Sequence, residues 1–211
     1  MYKKLMIINV AVILLVTAVY IFGYYFINYP MKFNIWKLIK ECQLQYLPAV
    51  FGVTLLGSYL VSSLNFQRLN FKSKFLSVFP FLNTLALVFF IYISSEGFIK
   101  NKRALTKQEN QYIREAEKDI KRDQIMMRYA GGLSFSLYNQ TTTHKIDSIG
   151  RKYGIVSQTG GCTFDPIDHK AQEKYNEMTN TYLEKRNGKD WKGRMKKEID
   201  GVKKIKNPDT E

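Results

Sequence analysis

A short stretch near the C-terminal end combines the residue types that enzymes use for nucleophilic catalysis. Cys162 follows Gly160-Gly161, and His169 comes a few residues later, behind Asp165 and Asp168. A cysteine at the end of a strand and close to a helix N-terminus can be held as a thiolate by the helix dipole. A nearby histidine can serve as its base. The pattern is therefore compatible with a thiol enzyme in which Cys162 and His169 are the candidate catalytic residues.

The same residues also have simpler explanations. Asp165-Pro166-Ile167-Asp168 is typical of a helix start, with Asp165 as the N-cap and proline in the first turn. Cys162, Asp165 and His169 are metal-ligand types, but their spacing matches no recognised metal motif. A cysteine in a short strand usually packs as a small apolar residue. We expect no metal, no cofactor and no small-molecule substrate, and a non-enzymatic protein is favoured.

Basic residues are concentrated close behind this stretch and are the strongest functional signal in the sequence. Each contributes about 1 kcal/mol near an anionic lipid surface, and together they can also attract an acidic protein. The alternative is a solvated basic face with no partner. Nucleic acid is disfavoured, since no recognised binding motif is present. The basic docking face comprises Lys185, Arg186, Lys189, Lys192, Arg194, Lys196, Lys197 and Lys203.

The elements that position these residues begin with three apolar segments, over residues 5–28, 46–66 and 75–95. None contains Asp, Glu, Lys, Arg or His, and each has the roughly 20 residues that a helix needs to cross a bilayer. The first segment is longer than the apolar part of a signal peptide. The absence of charge argues against an ion-coupled transporter. The sequence predicts a three-span transmembrane domain over residues 1–99.

One face of the second span is small and hydroxylated. Thr54, Ser58 and Ser62 recur every four residues, with Gly57 beside them. Such a face lets membrane helices approach closely and exchange hydrogen bonds. It can pack against the other spans of the same chain, or it can contact a partner or a second copy. An oligomeric pore subunit requires the latter arrangement.

The remainder of the chain reads as an α-helical linker and a small soluble α+β domain. Residues 100–128 predict a charged amphipathic helix whose apolar stripe runs as far as Met127. Residues 129–206 predict the basic α+β domain, and residues 207–211 a frayed tail. Within the domain we expect strands at 133–138, 155–157 and 162–164, and helices that begin near Thr143, Asp165 and Asp190.

The distribution of charge predicts the orientation of the spans. Residues 100–211 carry 24 Lys/Arg and 16 Asp/Glu, which is +8 of the net charge of +14. Near the ends of the spans, five basic residues lie on the side of the N-terminus and eight on the side of the C-terminal domain. The positive-inside rule therefore predicts that the C-terminal domain is cytoplasmic.

Several short motifs of the C-terminal part resemble a known pattern. These are Lys152-Tyr-Gly154, Gly161-Cys162, Lys174-Tyr-Asn176 and YLEKRNGKDW from Tyr182 to Trp191. Over roughly its last 65 residues the chain resembles uncharacterised proteins of Bacteroidota-type bacteria, to which no activity is attached. The resemblance implies a bacterial inner membrane and structural roles for Gly161, Cys162, Gly188 and Trp191.

The sequence thus favours a non-enzymatic, multi-pass inner-membrane protein whose basic soluble domain docks a partner protein or an anionic membrane surface. Its role would be accessory, regulatory or immunity-type, and its partners would be membrane lipid and either a second protein or another copy of itself. A membrane-tethered enzyme and an oligomeric pore subunit are the alternatives.

Overall fold

The computed structural model describes residues 2–64, 70–130, 140–160 and 165–204. The chain divides into two compact units, Met1–Arg103 and Ala104–Glu211. The first unit contains α1 (Tyr2–Ile27), α2 (Ile35–Glu41), a short 3₁₀ turn (Leu44–Tyr46), α3 (Leu47–Ser63) and the beginning of α4 (Phe71–Arg122).

Three helices of the described chain are long and apolar enough to cross a membrane: Tyr2–Ile27, Leu44–Ser63 (the 3₁₀ turn with α3) and Phe71–Arg122. This confirms the prediction of three apolar spans. Their large side chains are widely exposed; Ile7 on α1 and Val53 on α3, for example, are 68% and 71% exposed. Large apolar side chains can be exposed on helices that are surrounded by hydrocarbon, because these side chains do not contact water there.

Polar contacts join α1 to α4 near both ends of α1. The Asn9 side-chain amide donates to the carbonyl oxygen of Leu76 at 3.0 Å, and the Asn101 amide donates to the carbonyl oxygen of Ile27 at 2.7 Å. Between them, Gly23 lies so close to Ser94 that an added Cβ would be 2.4 Å from its Oγ. Close approach through small residues is the usual way in which membrane helices pack.

The connection between α1 and α3 contains α2. Asn34 caps it by accepting a hydrogen bond from the backbone N–H of Lys37 at 3.1 Å. Leu38 is fully buried, whereas Trp36 is 74% exposed. An exposed tryptophan on a short helix beside apolar spans is typical of the membrane–water interface.

The second unit contains the end of α4, then β1 (Ile125–Ala130), α5 (Gln140–Lys152), β2 (Ile155–Gly160), α6 (Pro166–Asn187) and α7 (Trp191–Lys204). β1 and β2 are parallel, with Ile125 opposite Ile155, and α5 connects them. Parallel strands require such a crossover. The core includes Leu105, Tyr112, Ala116, Ile125, Tyr153, Ile155, Ala171, Tyr175, Leu183 and Trp191.

Several predicted boundaries of the second unit agree with the structure. β2 begins at Ile155, α6 begins after Asp165, and α7 begins after Asp190. The Asp165 carboxylate accepts from the backbone N–H of Ile167 at 2.8 Å, as its assignment as an N-cap requires. The predicted strands at residues 133–138 and 162–164 lie outside the described residues.

The predicted helix through Met127 is wrong at its end. α4 stops at Arg122, and Asp123 adopts the left-handed conformation with φ of 54°. The N–H of Asp123 donates to the carbonyl of Ile120 at 3.2 Å, and the N–H of Gln124 to that of Asp119 at 3.1 Å. These two bonds are the Schellman arrangement that closes helices. The chain then becomes extended as β1.

Candidate docking surface of the second unit

The carboxylate of Asp123 is the centre of a polar cluster that joins three elements. Its Oδ1 accepts from the Tyr182 hydroxyl at 2.8 Å, and its Oδ2 accepts from Nη2 of Arg186 at 2.7 Å. Arg186 Nη1 also donates to the carbonyl oxygen of Lys152 at 3.0 Å. One arginine therefore connects the end of α4, the end of α5 and the last turn of α6.

This cluster shifts the titration of its members in the directions expected of an ion pair. The hydrogen bond from Arg186 is the largest effect and lowers the pKa of Asp123; burial opposes it, and the hydrogen bond from the Tyr182 hydroxyl lowers the pKa further. The hydrogen bond to Asp123 raises the pKa of Tyr182 and of Arg186. Both partners are therefore charged at neutral pH.

Gly154 makes room for the cluster at the start of β2. Its φ is +78°, and a Cβ at this position would lie 3.0 Å from Oδ1 of Asp123 and 3.2 Å from Nε of Arg186. A side chain here would be strained by the backbone conformation and would press on the ion pair. The Gly154 carbonyl also accepts from the N–H of Ile125 at 2.7 Å, which fixes the beginning of the parallel sheet.

Further tyrosine–aspartate hydrogen bonds join α4 to α6. Tyr112 donates to Asp168 at 2.8 Å, and Tyr175 donates to Asp119 at 2.7 Å. The Tyr175 hydroxyl also accepts from the backbone N–H of Met126 at 2.8 Å, so it occupies a donor on β1. Together with Tyr182 and Asp123, these bonds fix α6 beside α4 along most of its length.

A second polar cluster joins α5 to α7. Glu198 accepts from Lys152 Nζ at 2.8 and 3.0 Å and from the Tyr153 hydroxyl at 2.7 Å. The hydrogen bond from Lys152 lowers the pKa of Glu198, and the same bond raises the pKa of Lys152. Trp191, which is 1% exposed, anchors the first turn of α7. The orientation of α7 is therefore fixed at its first turn and again near its middle.

The residues of the predicted basic docking face fall into three groups. Arg186 pairs with Asp123, and Arg194 donates to the backbone oxygen of Asn187, so both arginines hold the unit together. Lys192 lies 5.3 Å from the centre of the Trp191 ring, and Lys203 is partly exposed. The residues that remain form what we term the lysine patch: Lys185, Lys189, Lys196 and Lys197.

The lysine patch is available to an external partner. All four side chains are exposed, and none has a hydrogen bond or ion pair within the described part of the chain. The patch lies at the end of α6, in the following turn and on α7, which the two polar clusters hold in place. Exposed ammonium groups that are concentrated on neighbouring elements create a positive potential that attracts carboxylates or phosphates.

Of the two candidate catalytic residues, the structure describes His169 alone. His169 is exposed in the first turn of α6, and its backbone N–H donates to the Asp165 carbonyl oxygen at 2.9 Å. Asp165 caps α6, and Asp168 accepts from Tyr112. Cys162 lies outside the described residues. In the part that the structure describes, no group of three His, Cys, Asp or Glu residues could hold a metal ion.

The hydroxylated face of α3 lies against α4 of the same unit. Ser58 and Ser62 are buried, and the Thr54 hydroxyl lies 3.2 Å from Oδ1 of Asn83. A Cβ on Gly57 would come within 3.2 Å of Cδ1 of Leu82. At the end of α3, Nζ of Lys74 donates to the carbonyl oxygen of Leu64 at 2.9 Å.

The sequence did not reveal the polar clusters. Asp119, Asp123 and Glu198 stand among many charged residues, and the tyrosines that bond to Asp119 and Asp123 lie more than 50 positions away. The available signal was that Tyr175 and Tyr182 recur at a seven-residue interval on one face of α6. That interval indicates a shared face, although it does not identify the partners.

The apolar helices of the first unit and the polar second unit define a helical protein suited to insertion in a membrane. Comparison with protein-family models, with curated proteins and with solved structures found no match to this chain.

Proposed function

We propose that this chain is a non-enzymatic, multi-pass protein of a bacterial inner membrane, and that the lysine patch of its second unit docks an anionic partner surface. The second unit acts as a small basic α+β domain organised around β1, α5 and β2. The shared chemistry of its partner is a cluster of carboxylates on a protein or of phosphates on a lipid surface. The charge distribution near the spans supports a cytoplasmic location for this unit.

The observation that carries this proposal is the contrast between the arginines and the lysines of the basic face. Arg186 and Arg194 are bound internally, whereas the four side chains of the lysine patch make no hydrogen bond or ion pair in the described structure. Residues 185–204 include nine Lys/Arg and three Asp/Glu, so acidic neighbours do not neutralise the surface. Concentrated, uncompensated charge favours electrostatic attraction of an oppositely charged surface.

The two sources of negative charge can be separated experimentally. The full chain is placed in nanodiscs of neutral phosphatidylcholine and mixed with vesicles that contain about 30% phosphatidylglycerol, and co-flotation is measured. In parallel, a photo-crosslinking amino acid at position 189 captures neighbours in cells. Flotation identifies a lipid surface as the partner, whereas an adduct with an acidic protein identifies a protein.

A charge-matched control makes the test specific to the patch. Lys185, Lys189, Lys196 and Lys197 are changed together to Glu in one variant. In the control variant the same change is made at four other exposed lysines of the second unit: Lys107, Lys118, Lys121 and Lys145. Binding should be lost in the first variant and largely retained in the second. Equal losses, or no binding by the unmodified chain, would show that the patch is not a docking surface.

The alternatives from the sequence have less support. A thiol enzyme would use Cys162 and His169, and in the described residues His169 has an exposed position at a helix start. A pore subunit would use the Thr54, Ser58 and Ser62 face, which is occupied by α4 of the same chain. Neither alternative explains the lysine patch.

A further inference from the structure

A groove lies between α1 and α4 near the end of the first unit. It has a volume of about 370 Å³ and is lined by Phe22, Gly23 and Phe26 of α1 and by Ser95, Phe98 and Ile99 of α4, among other residues. Ser94, which also borders the groove, donates its hydroxyl to the Phe90 carbonyl oxygen at 2.7 Å. The lining is therefore almost wholly apolar, and its volume falls in the range of ligand pockets.

The groove continues onto a charged surface of α4. Ser95 and Ile99 also border a second concavity, whose other residues are Tyr92, Glu96, Lys100 and Arg103. Glu96, Lys100 and Arg103 are spaced by four and three residues, so they share one face of the helix. All three are exposed, and within the described residues none of them has an ion pair or a side-chain hydrogen bond.

The position of this groove along the chain matches the edge of a bilayer. The apolar part of α4 ends at Ser95, and α1 ends at Ile27, whose carbonyl accepts from Asn101. The apolar groove thus reaches the depth at which acyl chains end, where Glu96 lies beside its outer end, and Lys100 and Arg103 follow at the depth of headgroups. Tyr24, Tyr25 and Tyr29 near the end of α1 have the aromatic character of this interface.

We propose that this groove binds one phospholipid with a zwitterionic, primary-ammonium headgroup. An acyl chain lies between Phe22, Phe26 and Ile99, the phosphate contacts Lys100 and Arg103, and the ammonium group contacts Glu96. The proposal concerns the first unit and is independent of the lysine patch, so either can fail without the other.

The arrangement of charges selects this headgroup. Two cations and one carboxylate on one helical face complement the two charges of such a headgroup when it lies along the helix, with its phosphate at Lys100 and Arg103 and its ammonium group turned back toward Glu96. A headgroup with a phosphate and no positive charge would leave Glu96 beside a negative group, which is unfavourable. Ordinary annular lipid would contact the exposed apolar faces of the spans without any preference for a headgroup.

The test measures lipid retention by the full chain. Purified protein in mild detergent is titrated with phosphatidylethanolamine or phosphatidylglycerol of identical acyl chains, and bound lipid is counted by native mass spectrometry. We expect phosphatidylethanolamine to be preferred. Lys100→Gln with Arg103→Gln should lower its retention about two- to five-fold, the range expected for exposed ion pairs.

Glu96→Gln gives the decisive comparison, because it removes the carboxylate and leaves both cations. The preference for phosphatidylethanolamine over phosphatidylglycerol should disappear or reverse. Lys40→Gln is the matched control, since Lys40 is an exposed cation in the segment between α1 and α3 and lies outside the groove. Its substitution should leave retention unchanged.

Two further outcomes would overturn the proposal. The unmodified chain could retain both lipids equally, or Lys40→Gln could weaken retention as much as the double substitution. Ser95→Phe tests the acyl part separately, because Ser95 is exposed and a ring there should fill the groove and lower retention of both lipids. Unchanged retention in Ser95→Phe, with an unchanged unfolding temperature, would show that the groove is not the binding site.

Discussion

Asp123 ends α4 in a backbone conformation that is unfavourable for most residues, and its side chain holds two residues of α6. Its φ of 54° lies in the left-handed region, where glycine is favoured and other residues cost about 1 kcal/mol. An aspartate at this position is nevertheless useful, because its side chain holds Tyr182 and Arg186. Asparagine and aspartate are also the non-glycine residues that tolerate this conformation best.

Substitutions at Asp123 should separate these roles. Asp123→Ala removes both hydrogen bonds and keeps an unfavourable φ, so we expect a loss of about 1–2 kcal/mol in the free energy of unfolding of the second unit. The value is discounted for solvent screening, since the side chain of Asp123 is 45% exposed. Asp123→Asn should cost less. Unfolding can be followed by the fluorescence of buried Trp191 in a Trp36→Phe background.

The critical result is the order of the free energies of unfolding, which should be highest for the unmodified chain, lower for Asp123→Asn and lowest for Asp123→Ala. Equal stability of Asp123→Ala and the unmodified chain would show that the cluster does not stabilise the unit. The chain contains two tryptophans, so Trp36→Phe leaves Trp191 as the single reporter.

The ion pair also predicts a pH dependence. The pKa of Asp123 is lowered from 3.8, chiefly by the hydrogen bond from Arg186; burial opposes this shift, and the hydrogen bond from Tyr182 adds to it. A group whose pKa falls on folding binds fewer protons in the native state, so its stabilisation is complete above about pH 5 and is lost as the pH falls through the lowered pKa. As the pH is lowered, the free energy of unfolding measured by Trp191 fluorescence should therefore fall less in Asp123→Asn than in the unmodified chain. An equal fall of the free energy of unfolding with pH in the two proteins would show that Asp123 does not cause this pH dependence.

At the scale of elements, the junction of α4 and β1 shows what sequence periodicity could not resolve. Ile113, Ile120 and Met127 recur at seven-residue intervals, which predicts a continuous helix. The structure ends that helix at Asp123, where hydrogen bonds to a distant helix stabilise a conformation that local propensity disfavours. Helix caps made by local residues, such as Asp165, were predictable, because their partners lie within a few positions.

Two glycines of the second unit, Gly154 between α5 and β2 and Gly201 in α7, differ in their surroundings. Gly154→Ala should destabilise the second unit by about 1–2 kcal/mol, because φ is +78° and the new Cβ would press on Asp123. Gly201 in α7 has nothing within 4 Å of a built Cβ. Gly201→Ala should therefore be neutral or stabilising by about 0.5–1 kcal/mol, since alanine favours a helix. Thermal unfolding of both variants, monitored at Trp191, checks the difference. A similar effect of the two changes would show that the space around Gly154 is not limiting.

The packing of α1 on α4 makes a corresponding prediction for the first unit. A Cβ on Gly23 would lie 2.4 Å from Ser94 Oγ but 3.6 Å from its Cβ. Gly23→Ala should therefore lower the unfolding temperature in detergent, and Ser94→Ala added to it should restore most of the loss, because the clashing oxygen is gone. Gly52→Ala, with open space around the built Cβ, is the control. Failure of Ser94→Ala to restore stability would mean that the two residues do not limit the approach of the helices.

At the scale of the whole molecule, the sequence was most informative where a simple physical rule applied over many residues. Three uncharged segments of sufficient length predicted three apolar helices, because the bilayer imposes both conditions. The basic docking face was only partly interpretable. Charge alone does not distinguish Arg186, which is bound internally, from Lys189, which is exposed. That distinction depends on residues far away in the sequence, and only the folded chain brings them together.

The number of spans and the distribution of charge together predict the topology of the chain, and cysteine labelling can test the two parts separately. An odd number of spans requires residues 3 and 189 to lie on opposite sides, whichever orientation is adopted. The greater number of basic residues near the span ends on the C-terminal side predicts that residue 189 is cytoplasmic.

Single cysteines are introduced as Lys3→Cys or Lys189→Cys in a Cys42→Ser/Cys162→Ser background, since both lysines are exposed. In spheroplasts, an impermeant thiol reagent should label position 3 directly and position 189 only after permeabilisation. The reverse pattern would refute the predicted orientation and retain three spans, whereas equal labelling at both positions would refute the three spans themselves. The lysine patch would then be sought on the corresponding side, because its partner must be present where the second unit lies.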